Sequence, residues 1–568
     1  DLHGDIKSGQ DSFLMPPVSR VDLSESKASR NFWIYLDENR IWSVAQTKES
    51  EFILEAGLLW HRISRVNNKL GLKVEILSFV PSSGEPVEIM QVKIINKGRK
   101  SIRFTPTAAI PIYARGANNI RDHRHVTSLL QRVILDKYGV ISKPTLSFNE
   151  AGHLPNKNYY FVLGWDEKGT APEHLYPTHD IFCGDSGDLS SPESVLKNIL
   201  PDKRGIQGKE AMGGLRFFEK RLAPGKSCTY TLALGITKQP RDIKNIVNKF
   251  KTQKQIDFSL SGTKDFWKER ANRISISSGD NDFDNWFRWV AIQPILRKIF
   301  GCSFLPDFDY GKGGRGWRDL WQDCLGLILS EPKEARKILI NNFSGVRIDG
   351  SNATIIGKKQ GEFIADRNNI ARVWMDHGIW PLLAVDLYIN ETGDLNILFE
   401  ETDYFCDQHI WRSRKIDNGW SESCGNKLKT SRGKVYRGTV FEHLLIQNLT
   451  QFFNVGSHNH IRLEGADWND GLDMAQDSGE SVAFSAMYAK NLFRLSELLL
   501  KSGRDDIEIG RESKILFKQI DYNNIGLKHK VLEEYFEKAK CVVSGERIKF
   551  KAKDLSLDLK AKAEWIAS

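Results

Sequence analysis

The feature that most constrains this chain is a change of hydrophobic period near its middle. Up to about residue 262 apolar residues alternate with polar ones, and beyond Asp265 they recur three and four positions apart. Successive side chains of a strand point to opposite faces, whereas residues i, i+3 and i+4 share one face of a helix. The change therefore predicts a β unit followed by a helical one. Val74-Glu75-Ile76-Leu77-Ser78-Phe79-Val80, closed by Pro81 and a Ser-Ser-Gly turn at 82–84, reads as a strand. Met90, Val92 and Ile94 alternate up to the turn Asn96-Lys97-Gly98, with Ile102 and Phe104 beyond it. The run from Cys228 to Gly235 repeats the pattern after the Pro224-Gly225 turn. Many short strands at this spacing predict an antiparallel β-sandwich over residues 1–262.

Phe266 and Trp267, then Phe287, Val290, Ile292, Ile295 and Ile299, open the helical pattern, and 263–300 reads as a helical linker. From 301 to 568, helical stretches at Leu325–Leu329, Trp380–Tyr388, Val440–Phe453 and Ala483–Leu500 alternate with long connections rich in Gly, Asp and Trp. No repeat period of about 20–50 residues marks a solenoid. A helical domain with long loops is a common frame for a catalytic site, because binding and catalytic residues concentrate on loops held by a rigid scaffold.

Composition removes other classes. With 40% hydrophobic and 27% charged residues the chain is neither disordered, collagen-like nor a disulfide scaffold. The net charge of 81 − 72 = +9 is spread among interleaved acids, without the basic run of a nucleic-acid arm. Seven cysteines, odd in number and without a CxxC pair, fit reduced thiols and a cytoplasmic location. No apolar run reaches the ~20 residues that span a bilayer, so no membrane partner is expected.

Two segments carry chemistry. Glu464, Asp467, Asp470 and Asp473 crowd into ten residues around Trp468 and Asn469. Ionising one such carboxyl raises the pKa of its neighbours, which can keep one protonated for general-acid work. A cation loop or capping turn is the plain alternative, although the EF-hand pattern is not met. The second segment, Tyr310 to Asp323, has the glycines of a phosphate loop but neither the Walker nor the dinucleotide spacing. It places Arg318, Asp319, Gln322 and Asp323 beside Trp317 and Trp321. Fixed donors and acceptors suit vicinal hydroxyls, and an indole face suits a sugar ring. The plain alternatives are a surface Arg–Asp pair and core tryptophans. His458 and His460 lack an evident third ligand, so no metal is assigned.

Taken together, Gly465-Ala466-Asp467-Trp468-Asn469-Asp470-Gly471, Gly316-Trp317-Arg318-Asp319-Leu320-Trp321-Gln322-Asp323, Trp374–Pro381 and Gly438–His443 resemble the signature segments of glycoside hydrolase family 94, the cellobiose-phosphorylase group. The stretch from Tyr310 to Ala489, including Gly350–Gly357, is most similar to the family's 1,2-β-oligoglucan phosphorylase branch. The resemblance implies an N-terminal β-sandwich, a helical linker, an (α/α)6 barrel at 301–568 and a small C-terminal β-domain. It implies reversible, inverting phosphorolysis of a β-1,2-linked glucooligosaccharide to α-glucose 1-phosphate. Inorganic phosphate is then the co-substrate, no other cofactor is needed, and a homodimer is common. One enzyme carboxyl suffices, because phosphate replaces the base-activated water of an inverting hydrolase.

By motif, the resemblance makes Asp470 the general acid, Trp468 a wall of the sugar site, and Arg318 with Asp323 ligands of the transferred glucosyl unit. Asp319 and Gln322 share those contacts or orient Arg318. Asp467 and Glu464 are implied as hydrogen-bonded supports, and Asp376 and His377 as pocket lining. The phosphate-binding residues are unknown, because in the family they lie largely well downstream of the general acid and this chain ends 98 residues after Asp470; Lys312 and Arg315 are the nearest cations. The span after residue 300 is short for twelve barrel helices, so the barrel is expected to be incomplete at its C-terminus. A chain opening Asp1-Leu2-His3 is expected to be the middle of a longer enzyme. Two other readings stay open: an inverting β-glucan hydrolase, with carboxyl groups about 6.5–9.5 Å apart, and a non-catalytic carbohydrate-binding fragment.

Overall fold

The computed structural model describes residues 12–15, 30–45, 51–116, 124–147, 154–185, 187–202, 204–300, 316–353, 355–356, 361, 363–364, 373–465, 472, 475 and 478–568. The chain divides into two compact units, one running to Ile292 and the other carrying Gly314–Ser568.

The first unit is built on two antiparallel sheets. The larger has eight strands in the order Glu51–Gly57, Trp60–Asn67, Leu72–Phe79, Val87–Asn96, Ser227–Thr237, Tyr159–Asp166, Gly139–Ser142 and Val133–Asp136. The smaller has six, with His174–Thr178, Ala211–Arg216, Ile102–Ile112, Asn31–Asp37 and Arg40–Ser43 in order and Lys220–Leu222 also pairing with Ile102–Ile112. Alternate side chains sort themselves between layers. Tyr160 and Val162 face the smaller sheet and pack with Phe32, Ile34 and Leu215. Phe161, Leu163 and Trp165 of the same strand face the other way, into a second cluster with Ile243, Ile246, Val247 and Phe250. A strand buried on both faces reads as a continuous apolar run, which explains Tyr-Tyr-Phe-Val-Leu at 159–163.

That second cluster locates the first of the longer helices, after short ones at Arg124–Ser128, His179–Cys183 and Glu193–Leu196. The helical texture expected from Asp265 begins earlier, at α1 (Pro240–Phe250), followed by α2 (Gln253–Ala271) and α3 (Asn281–Phe300). Pro240 occupies the first turn of α1, where a missing N–H costs nothing. Ile243, Ile246, Val247 and Phe250 follow at i, i+3, i+4 and i+7 and are buried. Thr252 caps α2 with a reciprocal Gln255 bond. The apolar stripe of α1 is easily overlooked because lysines and arginines surround it, but it covers the outer face of the larger sheet.

The second unit is helical: α4 (Trp317–Ser330), α5 (Pro332–Asn342), α6 (Trp380–Thr392), α7 (Val440–Phe453), α8 (Val482–Lys501), α9 (Ile525–Lys538) and α10 (Ala552–Ala567). An antiparallel sandwich followed by a helical unit is the fold class expected from the change of period. All 14 residues of α7 are buried, so it is the axis of this unit rather than an amphipathic surface helix. Two of its polar residues bond back along the helix: Asn448 Nδ2 donates to Leu444 O at 2.8 Å and Thr450 Oγ1 to Ile446 O at 2.7 Å. Gly350 passes so close to α7 that a Cβ there would lie 2.1 Å from Thr450 Oγ1, and its φ is +78°. No helix among the described residues is long and apolar enough to cross a membrane.

Candidate functional site

The site is assembled around the first turns of α4. Trp317, Leu320, Trp321 and Cys324 fall on one arc of the helix and are buried. Trp317 and Trp321 stack edge-on with centroids 5.6 Å apart, and Trp321 meets Phe343 at 4.9 Å. These two indoles are core residues, and neither offers a ring face to a sugar. The opposite arc carries Arg318, Asp319, Gln322 and Asp323, all outside the buried core and with Gln322 exposed. Helical periodicity thus separates the motif into an anchor and a polar face.

Arg318 is held from across the unit. Its Nε donates to Asp376 Oδ2 at 2.6 Å, and Nη2 pairs with the same oxygen. Trp380 Nε1 donates to that oxygen as well, at 2.7 Å. The carboxylate of Asp376, only 2% exposed, is therefore engaged in orienting the guanidinium; its Oδ1 receives no hydrogen bond from the described residues. The neighbouring His377 is anchored through its backbone, since Trp317 Nε1 donates to His377 O at 3.0 Å. Its ring lies edge-on to Trp374, 4.6 Å between centroids, and neither nitrogen has a partner among the described residues. Burial pushes the imidazole down to about 4, so it is neutral near pH 7.

Glu464 opens the acidic segment and is fully tied down. Arg412 grips it with two bonds of 2.7 Å, Asn454 Nδ2 donates at 2.8 Å and Gln451 Nε2 at 3.2 Å. Burial acts to raise this carboxyl, but the Arg412 charge and hydrogen bonds outweigh it and hold Glu464 below the usual range. A carboxylate held ionised by four donated bonds cannot be the proton donor. Glu464 also forms a backbone bridge with Trp374, and Gly465 N donates to Val373 O at 2.8 Å. The acidic segment therefore leaves the described structure beside Asp376 and His377. Asp467, Trp468, Asp470 and Asp473 lie outside the described residues, as do Lys312 and Arg315.

The segment Gly438–His443 serves the core instead. Glu442 accepts from Tyr404 Oη at 2.9 Å, Tyr436 Oη at 3.0 Å and Gly510 N at 2.9 Å, and burial raises its carboxyl. His443 stacks on Tyr404 with centroids 3.7 Å apart. His458 Nδ1 lies 2.8 Å from Glu480 Oε2. Among the described residues no group of three His, Cys, Asp or Glu side chains is placed to hold a metal ion.

Comparison with known proteins assigns both parts of the chain to one family. Residues 266–521 match the catalytic domain of the glycosyl hydrolase 94 superfamily, and residues 22–253 match the glycosyl hydrolase 94 supersandwich domain. The chain belongs to glycoside hydrolase family 94.

Within this family, the chain is similar to solabiose phosphorylase of Paenibacillus borealis, at 23% identity over 74% of this chain and 48% of that protein. It is 21% identical to the cyclic beta-(1,2)-glucan synthase NdvB of Rhizobium meliloti (strain 1021), over 58% of this chain and 12% of the relative. It is 22% identical to the N,N'-diacetylchitobiose phosphorylase of Vibrio furnissii, over 48% of this chain and 33% of the relative. The chain spans about half or less of the length of each of these relatives. The sandwich of the first unit is thus the family's supersandwich, and helices α4 to α8 of the second unit fall in its catalytic domain.

The family segments read from the sequence did not include Arg412, Gln451, Asn454 or the role of Trp380. Arg412 lies in a hairpin loop, Gln451 and Asn454 at the end of α7, and nothing in their local sequence marks them as partners of Glu464. The backbone does carry a mark: Trp411, Arg412, Ser413 and Glu464 all have positive φ.

Proposed function

We propose that this family 94 chain is part of an inverting glycoside phosphorylase that cleaves β-1,2-linked glucooligosaccharides with inorganic phosphate, yielding α-glucose 1-phosphate. The observation that carries the reading is the Arg318 guanidinium held by Asp376 and Trp380 at the edge of the polar arc of α4, beside the point where the acidic segment departs. A guanidinium locked by a carboxylate is held in one fixed direction, and an arginine fixed in this way is suited to ordering the hydroxyls of one glucosyl unit. Asp323, Asp319 and Gln322 supply further donors and acceptors on the same arc, with Trp468 and Asp467 assigned to the site by motif. Phosphorylases among the relatives support the reaction class, and the β-(1,2)-glucan synthase supports the linkage.

In the proposed reaction a phosphate oxygen forms a bond to the anomeric carbon as the bond to the glycosidic oxygen breaks. Asp470 gives its proton to the departing oxygen and is left as the carboxylate. Attack from the opposite face inverts the β-linkage to an α-phosphate. No second enzyme carboxyl is needed to deprotonate a nucleophile, since phosphate is already anionic. Pre-placing the glucosyl unit lowers the entropic part of the barrel-bound reaction's activation free energy.

The test is to incubate the full-length protein with sophorose-type oligosaccharides in the presence and absence of phosphate. Glucose 1-phosphate should appear only with phosphate. Equal release of free glucose without phosphate would select the hydrolase reading instead.

A further inference from the structure

Three consecutive residues in one short loop adopt a backbone that L-amino acids avoid. Trp411, Arg412 and Ser413 have φ of 57°, 53° and 63° in the hairpin joining His409–Ile410 to Lys415–Ile416, and none is glycine or asparagine. Glu464, to which this loop reaches, has φ of 56°. Left-handed backbone presses Cβ against the following carbonyl oxygen, so single residues are tolerated and runs are rare. Such strain persists only where the surroundings over-determine it, and it collects at functional sites.

What over-determines it here is a set of directional bonds. Arg412 N donates to Asp349 Oδ2 at 2.6 Å, fixing the loop from behind. The Arg412 side chain forks onto both oxygens of Glu464 at 2.7 Å. Gln451 and Asn454, at the end of α7, complete the carboxylate, and Arg414 donates to Asn454 in turn. Glu464 and Gly465 are bonded by backbone to Trp374 and Val373. Both side chains of the pair are almost wholly buried, at 2% and 8% exposure. A buried ion pair is poor evidence for stability, since an apolar pair of the same volume often does as well without strained backbone. What the pair does supply is direction: Glu464 and Gly465 are held on one heading against Val373 and Trp374.

We propose that Arg412 and Glu464 are positioning residues for glycosyl transfer, a clamp that fixes Glu464 and Gly465, from which the acidic segment continues, against Val373 and Trp374. The proposal rests on the reading of Asp470, six residues beyond Glu464, as the general acid. Neither residue touches substrate; both act through the segment they hold.

The experiment uses the full-length protein with Glu464→Gln, Arg412→Lys and the double variant. Each is read by kcat and KM on a β-1,2-glucooligosaccharide with phosphate, by thermal unfolding, and by deuterium uptake of the peptide covering 464–475. Misplacing a catalytic group by about 1 Å costs roughly 100-fold in rate. Accordingly Glu464→Gln should lower kcat by about 100-fold while KM changes little, uptake should rise in that peptide above the rest of the chain, and the double variant should be no slower than the single one. A kcat per folded molecule equal to wild type, or losses that multiply in the double variant, would overturn the clamp. If wild type turns over no saccharide, the functional reading fails by itself and uptake decides: raised uptake confined to 464–475 supports the clamp, and unchanged uptake overturns it. Failure of both single variants to fold would assign the pair a purely structural role and overturn the proposal.

Discussion

Arg318 and Asp376 meet at 2.6 Å although 58 residues separate them in sequence, and the carboxylate oxygen that receives the guanidinium also receives the Trp380 indole N–H. One oxygen thus organises two donors from two helices, α4 and α6. Asp376 thereby fixes the direction of the Arg318 guanidinium on the polar arc of α4.

Asp376→Asn tests this directly. The amide keeps the shape but leaves Arg318 without its counter-charge in a site where both side chains are largely buried. Loss of one partner of a buried pair costs about 3 kcal/mol, to be measured as a shift in urea midpoint at constant slope. Saccharide affinity should fall with it. An unchanged midpoint and unchanged KM would show that the pair neither stabilises nor orients.

Asp470→Asn removes only the proton donor. The rate on natural oligosaccharides should fall by about 10²–10⁴ while the unfolding midpoint stays put. Substrates whose leaving group needs no protonation should recover most of the rate. A uniform loss on both substrate types would move the proton-donor role to another carboxyl.

Acid should destabilise the helical unit through its buried imidazoles. Burial pushes His377 and His443 each down to about 4, against about 6.5 in the unfolded chain. Between those values the unfolded chain binds more protons than the folded one, so stability rises with pH across that window. It is fully present above 6.5 and is lost progressively as the pH falls toward 4, by roughly 3 kcal/mol for each histidine. His377→Gln, which cannot titrate, should remove about half of that slope in denaturation curves collected from pH 4 to pH 7. An identical slope in the variant would place His377 in solvent.

Ile246→Ala probes the helix that covers the larger sheet. Ile246 is 1% exposed and packs with Phe161, Leu163 and Trp165. Truncation should destabilise the first unit by about 2–5 kcal/mol, read calorimetrically. A loss below about 0.5 kcal/mol, as at a surface site, would detach α1 from the sheet.

Much of the fold was legible because its signals are local. The strand read at Val74–Val80 corresponds to Leu72–Phe79, and the helical stretch Val440–Phe453 to α7. Both depend on the spacing of apolar residues within a dozen positions. The helices before Asp265 escaped notice because the stripe of α1 is only four residues in a lysine-rich surround. The structure sets Arg318, Asp319, Gln322 and Asp323 of the Gly316–Asp323 motif on one arc of α4, and a list of residue types cannot say which way an indole faces; helical phase turned Trp317 and Trp321 inward.

The order of the architecture, sandwich first and helices second, and the segments that mark family 94 were readable from the chain, because period and motif are properties of neighbouring residues. Which carboxylate meets which cation was settled by folding. Asp376 faces Arg318 and Glu464 faces Arg412 across 58 and 52 residues, and no local pattern encodes a partner at that distance. The same holds for protonation: Glu464 is held ionised by Arg412, and His377 is held neutral by burial. Both states depend on charges and solvent exclusion that exist only once the helices have packed.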